Sequence, residues 1–179
     1  QFTQAVMEAV SRWYSETEEP TFFIGIDGLS GSGKSSTLLE AVKNAVARFP
    51  HIPLTVISAD DFLLTARGST LREDQILMPP ELFWITYRTE ESVQRLLLEM
   101  VLAGGKGGTS HFDMMYTRPM GKIAPGDRTF PGHGRGVVAL EGTDAIKMLD
   151  ILKGRAPMLR LYKLTPLDVC KRRTVGRDG

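Results

Sequence analysis

The sequence is poor in cysteine, in net charge and in long apolar runs. Its 179 residues include one cysteine, Cys170, which excludes an intramolecular disulfide and a metal site built from several cysteines. The net charge of +1 does not indicate a face that binds a polyanion or a membrane surface. No stretch approaches the roughly 20 apolar residues of a membrane span, and no signal sequence precedes the first segment. These absences favour a single-domain cytoplasmic protein with no nucleic-acid or membrane partner.

Histidine and tryptophan are also scarce, and neither forms the pattern of a site. His51, His111 and His133 lack the spacing of metal ligands and are expected on the surface or in loops. His111 is the one histidine near a candidate site, and a substrate contact is its alternative role. Trp13 and Trp84 are expected to pack against other residues, because no interleaved basic and aromatic pattern indicates base stacking.

Residues 28–35 match the phosphate-binding loop pattern G-x-x-x-x-G-K-S/T at every fixed position. The apolar run 22–27 before it predicts a buried strand, and residues 36–49 after it predict a helix, which is the context that the motif requires. Backbone N–H groups and the helix N-terminus would face the phosphates, Lys34 would reach the β- and γ-phosphates, and Ser35 would ligate Mg²⁺. The residues expected to bind the nucleotide are Gly28, Leu29, Ser30, Gly31, Ser32, Gly33, Lys34, Ser35 and Ser36.

Strand and helix patterns alternate along the chain. Apolar runs predict further strands at 54–58, 137–141 and 158–164, and periodic patterns predict helices over the first segment, after Thr89 up to Gly104, over 143–152 and after Thr165. The segment 65–80 is polar and interrupted, and residues 104–136 are rich in Gly and Pro, so no element longer than a few residues is expected there. The predicted fold is α/β, a P-loop NTPase with three α/β/α layers and a central parallel sheet.

Acidic residues follow two of the other predicted strands. Asp60 and Asp61 come after the strand at 54–58, and Glu141 ends the strand at 137–141. Ligands of open parallel sheets bind at the carboxyl ends of the strands, where the phosphate loop also lies. Asp60 or Asp61 would therefore supply a base, and Glu141 would hold Mg²⁺ directly or through water. The alternative is that the aspartates cap a turn and that Glu141 faces solvent.

The end of the chain carries a cluster of four cations, Lys171, Arg172, Arg173 and Arg177. Such a cluster commonly forms an exposed basic face of a helix. In a phosphotransferase it can instead close over the transferring phosphoryl group and neutralise the charge that develops there.

Five segments, taken in order, resemble the uridine kinase and phosphoribulokinase family, whose broad group includes nicotinamide riboside kinases and pantothenate kinases. The segments are 26–35, 57–62, 112–113, 138–142 and 172–178. The phosphate loop is common to many NTPases, whereas the S-x-D-D-F segment at 58–62 is more particular. The resemblance extends over nearly the whole chain and implies one P-loop kinase domain over 1–179 that uses ATP and Mg²⁺.

The resemblance also implies roles for single residues. Asp60 matches the catalytic aspartate and Glu141 the glutamate linked to Mg²⁺, while Phe112 and Asp113 match a tyrosine–aspartate pair near the acceptor. The implied catalytic residues are Lys34, Asp60, Arg173 and Arg177; the acceptor residues are Asp61, Phe62, Phe112 and Asp113; and the metal ligands are Ser35, Asp60 and Glu141.

The chain departs from the family pattern in four places. Met78-Pro79-Pro80 stands where nucleoside kinases carry a D-H-P segment that grips ribose, so Asp74 or Glu81 would have to replace that contact. The lid pattern is one residue longer, and Phe112 replaces a tyrosine. The chain stops inside the lid, so a truncated C-terminal lid region is expected. Kinase chemistry survives these differences better than an assignment to uridine does.

We therefore expect an ATP-dependent kinase, similar to uridine kinase, that phosphorylates a hydroxyl of a small metabolite such as a nucleoside. Asp60 would be the general base, Asp61 or Asp113 would position the acceptor, and the lid would exclude water. A regulatory ATPase and a catalytically idle nucleotide-binding module are the alternatives. A homo-oligomer is compatible with the sequence.

Overall fold

The central sheet has four parallel strands, and its order brings the predicted site elements together. The computed structural model describes residues 2–29, 31–62, 83–117, 122–132 and 134–175. The strands are β1 (Thr21–Asp27), β2 (Leu54–Ser58), β5 (Gly136–Glu141) and β6 (Met158–Tyr162), in the spatial order β2-β5-β1-β6. All three neighbouring pairs are parallel. The predicted strands are therefore present, and the last one ends two residues earlier than expected.

Side chains of the two inner strands alternate between two cores. Every residue of β1 is buried, and so are all but the last residue of β5. On β1, Phe23 packs into one core, whereas Ile24 and Ile26 pack into the other. Strands that are buried on both faces are typical of a parallel sheet between two helical layers. The predicted α/β/α arrangement with a central parallel sheet is confirmed.

Helix α1 (Phe2–Glu16) and the helix after the phosphate loop cover one face of the sheet. The second of these begins as a π-helix, Ser35–Leu39, and continues as α2 (Glu40–Val46), so it ends three residues before the predicted boundary. A π-turn widens the helix locally and is frequent at functional sites. Here it lies directly after the phosphate loop.

A cation just before β5 caps the carboxyl end of α1. The Arg135 guanidinium donates to the carbonyls of Tyr14 at 3.0 Å and Thr17 at 2.6 Å and lies 4.9 Å from the centre of the Trp13 ring. A positive charge at the carboxyl end of a helix satisfies its last carbonyls and opposes its dipole. Trp13 also stacks on Phe22 at 5.6 Å, so it has the packing role that was expected.

The other face of the sheet is covered by helix α3 (Phe83–Ala103) and by a short helix, α4 (Ala145–Met148), that continues as the 3-10 turn Leu149–Leu152. The prediction that a helix begins after Thr89 was wrong, because Thr89 lies inside α3. Aromatic and β-branched residues at 83–87 have low intrinsic helix propensity, so the local pattern gave no signal that the helix begins there. The chain ends in α5 (Leu167–Val175), which starts close to the predicted cap at Thr165.

A second sheet occupies the region where no element was expected. Strands β3 (Gly108–Thr117) and β4 (Lys122–Phe130) form an antiparallel hairpin. The prediction for 104–136 was wrong because glycine and proline were interpreted as loop signals, whereas Pro125 lies opposite a bulge. Between the pairs Phe112–Gly126 and Met115–Ala124, two residues of β3 oppose Pro125 alone. A bulge interrupts the hydrogen bonds of the ladder at that point. Proline is tolerated there because its missing N–H group would have no ladder bond to make.

Candidate active site

The phosphate loop begins where β1 ends, and three of its glycines have conformations that other residues rarely adopt. Gly28, Gly31 and Gly33 have φ of 151°, 75° and 83°. A side chain at Gly28 would also place its Cβ 2.9 Å from the Ser32 Oγ and 3.0 Å from the carbonyl oxygen of Lys163. The loop is thus compact as well as left-handed, the form in which successive N–H groups can face one anion.

The last helical segment packs against this loop. Thr165 donates its hydroxyl hydrogen to the Ser32 carbonyl at 2.9 Å, and the Arg173 guanidinium lies 3.4 Å from the Gly31 carbonyl oxygen. The Ser32 hydroxyl itself is buried and has no hydrogen-bond partner within the described ranges. Arg173 therefore lies beside the phosphate loop, and its role in a lid stays a prediction. Arg177 and Ser30 lie outside the described residues.

Two of the three predicted magnesium ligands, Ser35 and Glu141, are in contact beside the phosphate loop. The Ser35 hydroxyl donates to Oε1 of Glu141, which ends the strand next to β1. Mg²⁺ is usually held by one or two carboxylates together with substrate phosphates and water. A hydroxyl and a carboxylate in contact at the edge of the phosphate loop fit that ion.

The two aspartates lie in a 3-10 turn, Ala59–Phe62, directly after β2. In the pairing of β2 with β5, Ser58 lies opposite Glu141, so Asp60 is two residues beyond the neighbour of Glu141. The fold therefore gathers Asp60, Glu141 and the phosphate loop at the carboxyl edge of three adjacent strands, as expected for an open parallel sheet.

Asp61 has a charged partner that the sequence did not indicate. Its Oδ2 lies 3.2 Å from a guanidinium nitrogen of Arg128 on β4, and the two side chains retain 23% and 32% of their exposure. The salt bridge ties the hairpin to the turn that carries Asp60. Asp61 thus presents a partly exposed carboxylate that is already paired with a cation.

The predicted acceptor residues divide into two sets in the structure. Phe62 and Phe112 are buried and meet edge to face with ring centres 5.1 Å apart. The guanidinium carbon of Arg95 lies 4.4 Å from the centre of the Phe112 ring. Asp113, in contrast, is exposed at the bulge of β3. Bulges commonly redirect side chains next to active sites. Asp113 is thus accessible, whereas Phe62 and Phe112 belong to the hydrophobic core on one face of the sheet.

The segment that contains Met78, together with Asp74, Glu81 and His133, lies outside the described residues, as does the side chain of Trp84. His111 is exposed and pairs with Asp127 at 2.7 Å on the outer face of the hairpin. A cross-strand partner on this face makes the surface role of His111 more consistent with the structure than a substrate contact.

Sequence reasoning missed two charged residues of this region, Asp27 and Arg128. Asp27 is buried at the end of β1, and its carboxylate accepts hydrogen bonds from the backbone of two segments. The sequence did offer a signal for Asp27, because it is a carboxylate in a predicted buried strand directly before the phosphate loop. Arg128 offered no signal, because its partner is 67 positions away and the hairpin that carries it was not predicted.

The chain has the fold of two solved kinases. It is similar to a protein from a Silicibacter species described as a "putative fructose transport system kinase", with a TM-score of 0.61, 22% identity and coverage of 99% of this chain and 81% of that chain. It is also similar to a "possible uridine kinase" from Bacillus stearothermophilus, with a TM-score of 0.58, 16% identity and coverage of 99% and 88%. No protein-family model and no curated protein matches the sequence.

These likenesses establish the fold, which is that of α/β P-loop kinases. Among the described residues, no helix is both long and apolar enough to cross a membrane.

Proposed function

We propose that this chain is an ATP-dependent kinase that transfers the γ-phosphoryl group to a hydroxyl of a small metabolite. The observation that carries the proposal is the arrangement of three strand ends. The phosphate loop follows β1, Glu141 contacts Ser35 at the end of β5, and Asp60 follows β2. Phosphoryl transfer needs a phosphate cradle, a held metal ion and a carboxylate beside the acceptor, and these three elements supply them.

Each residue then has a chemical task. The loop amides and Lys34 hold the phosphates, and Mg²⁺ bound near Ser35 and Glu141 would neutralise charge on the β- and γ-oxygens. Asp60 accepts the proton of the attacking hydroxyl. Arg173, which already lies beside Gly31, approaches the transferring group and stabilises the charge that develops on its oxygens.

The acceptor side is formed by Asp61, Asp113 and the hairpin. The names of the two solved kinases with this fold refer to fructose transport and to uridine. Fructose and uridine each carry several hydroxyls. We infer an acceptor of this polyhydroxylated class. Asp113 is exposed, and Asp61 is held at 3.2 Å from Arg128. Their carboxylate oxygens can accept hydrogen bonds from the hydroxyls of such a substrate.

The test is ADP formation from Mg·ATP with and without a panel of acceptors: nucleosides, fructose, pantothenate, glycerate and ribulose phosphate. ADP that depends on one acceptor supports the kinase. ADP that forms equally without any acceptor would instead indicate a regulatory ATPase, and nucleotide binding without turnover would indicate an idle binding module.

Two substitutions then test the site. Asp60→Asn should lower kcat by about 10²–10⁴-fold, the usual contribution of a general base. Lys34→Ala should lower kcat/KM by at least about 10²-fold, because a preorganised charge on the transferring phosphates is lost. Lys43→Ala is the matched control, since Lys43 forms an exposed pair with Glu40 on α2. Undiminished turnover by the Asp60→Asn enzyme would remove Asp60 from the mechanism.

A further inference from the structure

Asp27 joins the ends of three strands through its own backbone and side chain. Its Oδ1 accepts the N–H of Gly28 at 2.6 Å and that of Asp144 at 3.2 Å, and its Oδ2 accepts the N–H of Ile146 at 3.1 Å. Its carbonyl oxygen accepts the N–H of Lys163, just beyond β6, at 2.9 Å. Only 8% of the residue is exposed. A buried carboxylate is costly unless charge-assisted hydrogen bonds satisfy it, and here both oxygens are engaged.

The side-chain bonds connect the phosphate loop to the segment that follows Glu141. Gly28 is the first residue of the loop, whereas Asp144 and Ile146 lie at the start of α4, three and five residues beyond Glu141. Asp144 caps this helix without a hydrogen bond from its own side chain. The carboxylate of Asp27 therefore caps α4 from another strand, because it accepts two N–H groups at the start of that helix.

The backbone at Asp144 has an uncommon conformation at this connection. Asp144 has φ of 63° and is the one non-glycine residue with positive φ in the described part of the chain. Such a conformation persists where surrounding contacts enforce it, and it is frequent near functional sites. The hydrogen bond from its N–H to Asp27 is one such contact. The turn between Glu141 and α4 is thus shaped by Asp27.

We propose that Asp27 is a positioning residue that holds Glu141 in place against Ser35 and so sets the affinity for the magnesium complex of the nucleotide. The proposal rests on the proposed kinase function. In the pairing of β1 with β5, Ile26 lies opposite Glu141, so Asp27 is the next residue along from that pair. Because both of its oxygens accept backbone hydrogens, Asp27 acts through the backbone and not as a metal ligand.

The experiment measures the dissociation constant of a fluorescent ATP analogue in Mg²⁺ and in EDTA. The quantity of interest is the ratio of the two constants, which is the gain in affinity that the metal gives. Asp27→Asn keeps the size of the side chain but replaces one acceptor oxygen with a donor group. We expect it to reduce the ratio by about tenfold or more, the usual loss when a residue that supports metal ligands is changed.

A double-mutant cycle shows whether Asp27 works through Glu141. Glu141→Gln alone should reduce the ratio, and Asp27→Asn added to it should change the ratio by less than about twofold, because the positioned group is already lost. Asp150→Asn is the matched control. Asp150 follows α4 and pairs with Arg160 at 2.5 Å, and its substitution should leave the ratio unchanged.

Asp27→Ser provides a second variant in case Asp27→Asn does not fold, as judged by circular dichroism. A serine hydroxyl can still accept the adjacent N–H of Gly28, but it is too short to serve both oxygen positions at α4. The Asp27→Ser protein should therefore show the same reduction in the ratio of dissociation constants as Asp27→Asn.

Two results would overturn the inference alone. In the first, Mg²⁺ raises the affinity of the wild-type protein, and both Asp27 variants have the same ratio of dissociation constants as the wild type. In the second, Asp27→Asn lowers the ratio by the same factor in the Glu141→Gln background as in the wild type. A wild-type protein with no metal-dependent gain would overturn the kinase proposal itself, together with this inference.

Discussion

Gly142→Ala should damage both stability and turnover, because the residue lies in a tight contact between two strand ends. A Cβ at position 142 would lie 2.6 Å from the Cβ of Ala59. Neither atom belongs to a flexible side chain, so relief requires movement of the backbone. Bringing the two carbons to an ordinary contact of about 3.5 Å needs a displacement of roughly 0.9 Å. That displacement separates the turn with Asp60 from the strand end with Glu141.

The size of both effects follows from this displacement. Overpacking of a well-packed core costs about 1–3 kcal/mol, which for a domain of this size corresponds to a fall in Tm of roughly 2–12 °C. A misplacement of about 1 Å between reacting groups can cost around 10²-fold in rate. We therefore expect the kcat of Gly142→Ala to fall by one to two orders of magnitude while the protein remains folded at 25 °C.

The assay combines thermal unfolding with acceptor-dependent ADP formation in four proteins: wild type, Gly142→Ala, Ala59→Gly and the double variant. Ala59→Gly removes the opposing methyl group and should itself cost about 0.5–1 kcal/mol through backbone entropy. In the double variant the clash is absent, so its Tm and kcat should approach those of Ala59→Gly. Additive losses in the double variant would refute the steric reasoning, and so would a Gly142→Ala protein with the Tm and kcat of wild type.

Two charged pairs give further predictions. Arg128→Met and Asp61→Asn should show a coupling free energy of about 1 kcal/mol in a urea double-mutant cycle, because the salt bridge is partly buried; strictly additive losses would contradict a direct contact. The pKa of Lys147 is raised above its ordinary 10.5 by a hydrogen bond and then by charge attraction to Glu90, so the pair stabilises the fold below pH 10.5 and ceases to do so as the pH rises through the raised pKa. Lys147→Gln should accordingly lower Tm slightly at pH 8 and leave it equal to that of wild type once Lys147 has lost its proton; a difference that persists in alkali would contradict this account.

Sequence patterns predicted the central sheet well because its strands are buried on both faces. Runs such as 137–141 carry few polar residues, and the phosphate loop is a local motif with fixed spacing. Both signals depend on residues that are adjacent in sequence. The convergence of Asp60 and Glu141 could also be predicted, because the carboxyl ends of parallel strands meet at one edge.

The hairpin and its contacts with the turn after β2 could not be predicted in the same way. The hairpin depends on the pairing of β3 with β4, and β4 contains Pro125 and Gly126, where local propensity disfavours a strand. The partner of Asp61 comes from this hairpin, so missing the hairpin also meant missing Arg128. Phe112 was assigned to the acceptor through resemblance, whereas its burial against Phe62 is a tertiary fact that no local pattern encodes.

The hairpin forms a sheet of its own, and within the described residues no backbone ladder joins it to the central sheet. Its links to the turn after β2 are side-chain links, the Phe62–Phe112 contact and the Asp61–Arg128 salt bridge. On α3, Glu99 and Arg95 add side-chain contacts with Ser110 and Phe112 of the hairpin. A hairpin grafted from another protein of this fold would have to supply a matching aromatic ring, a matching cation and the groups that contact Arg95 and Glu99.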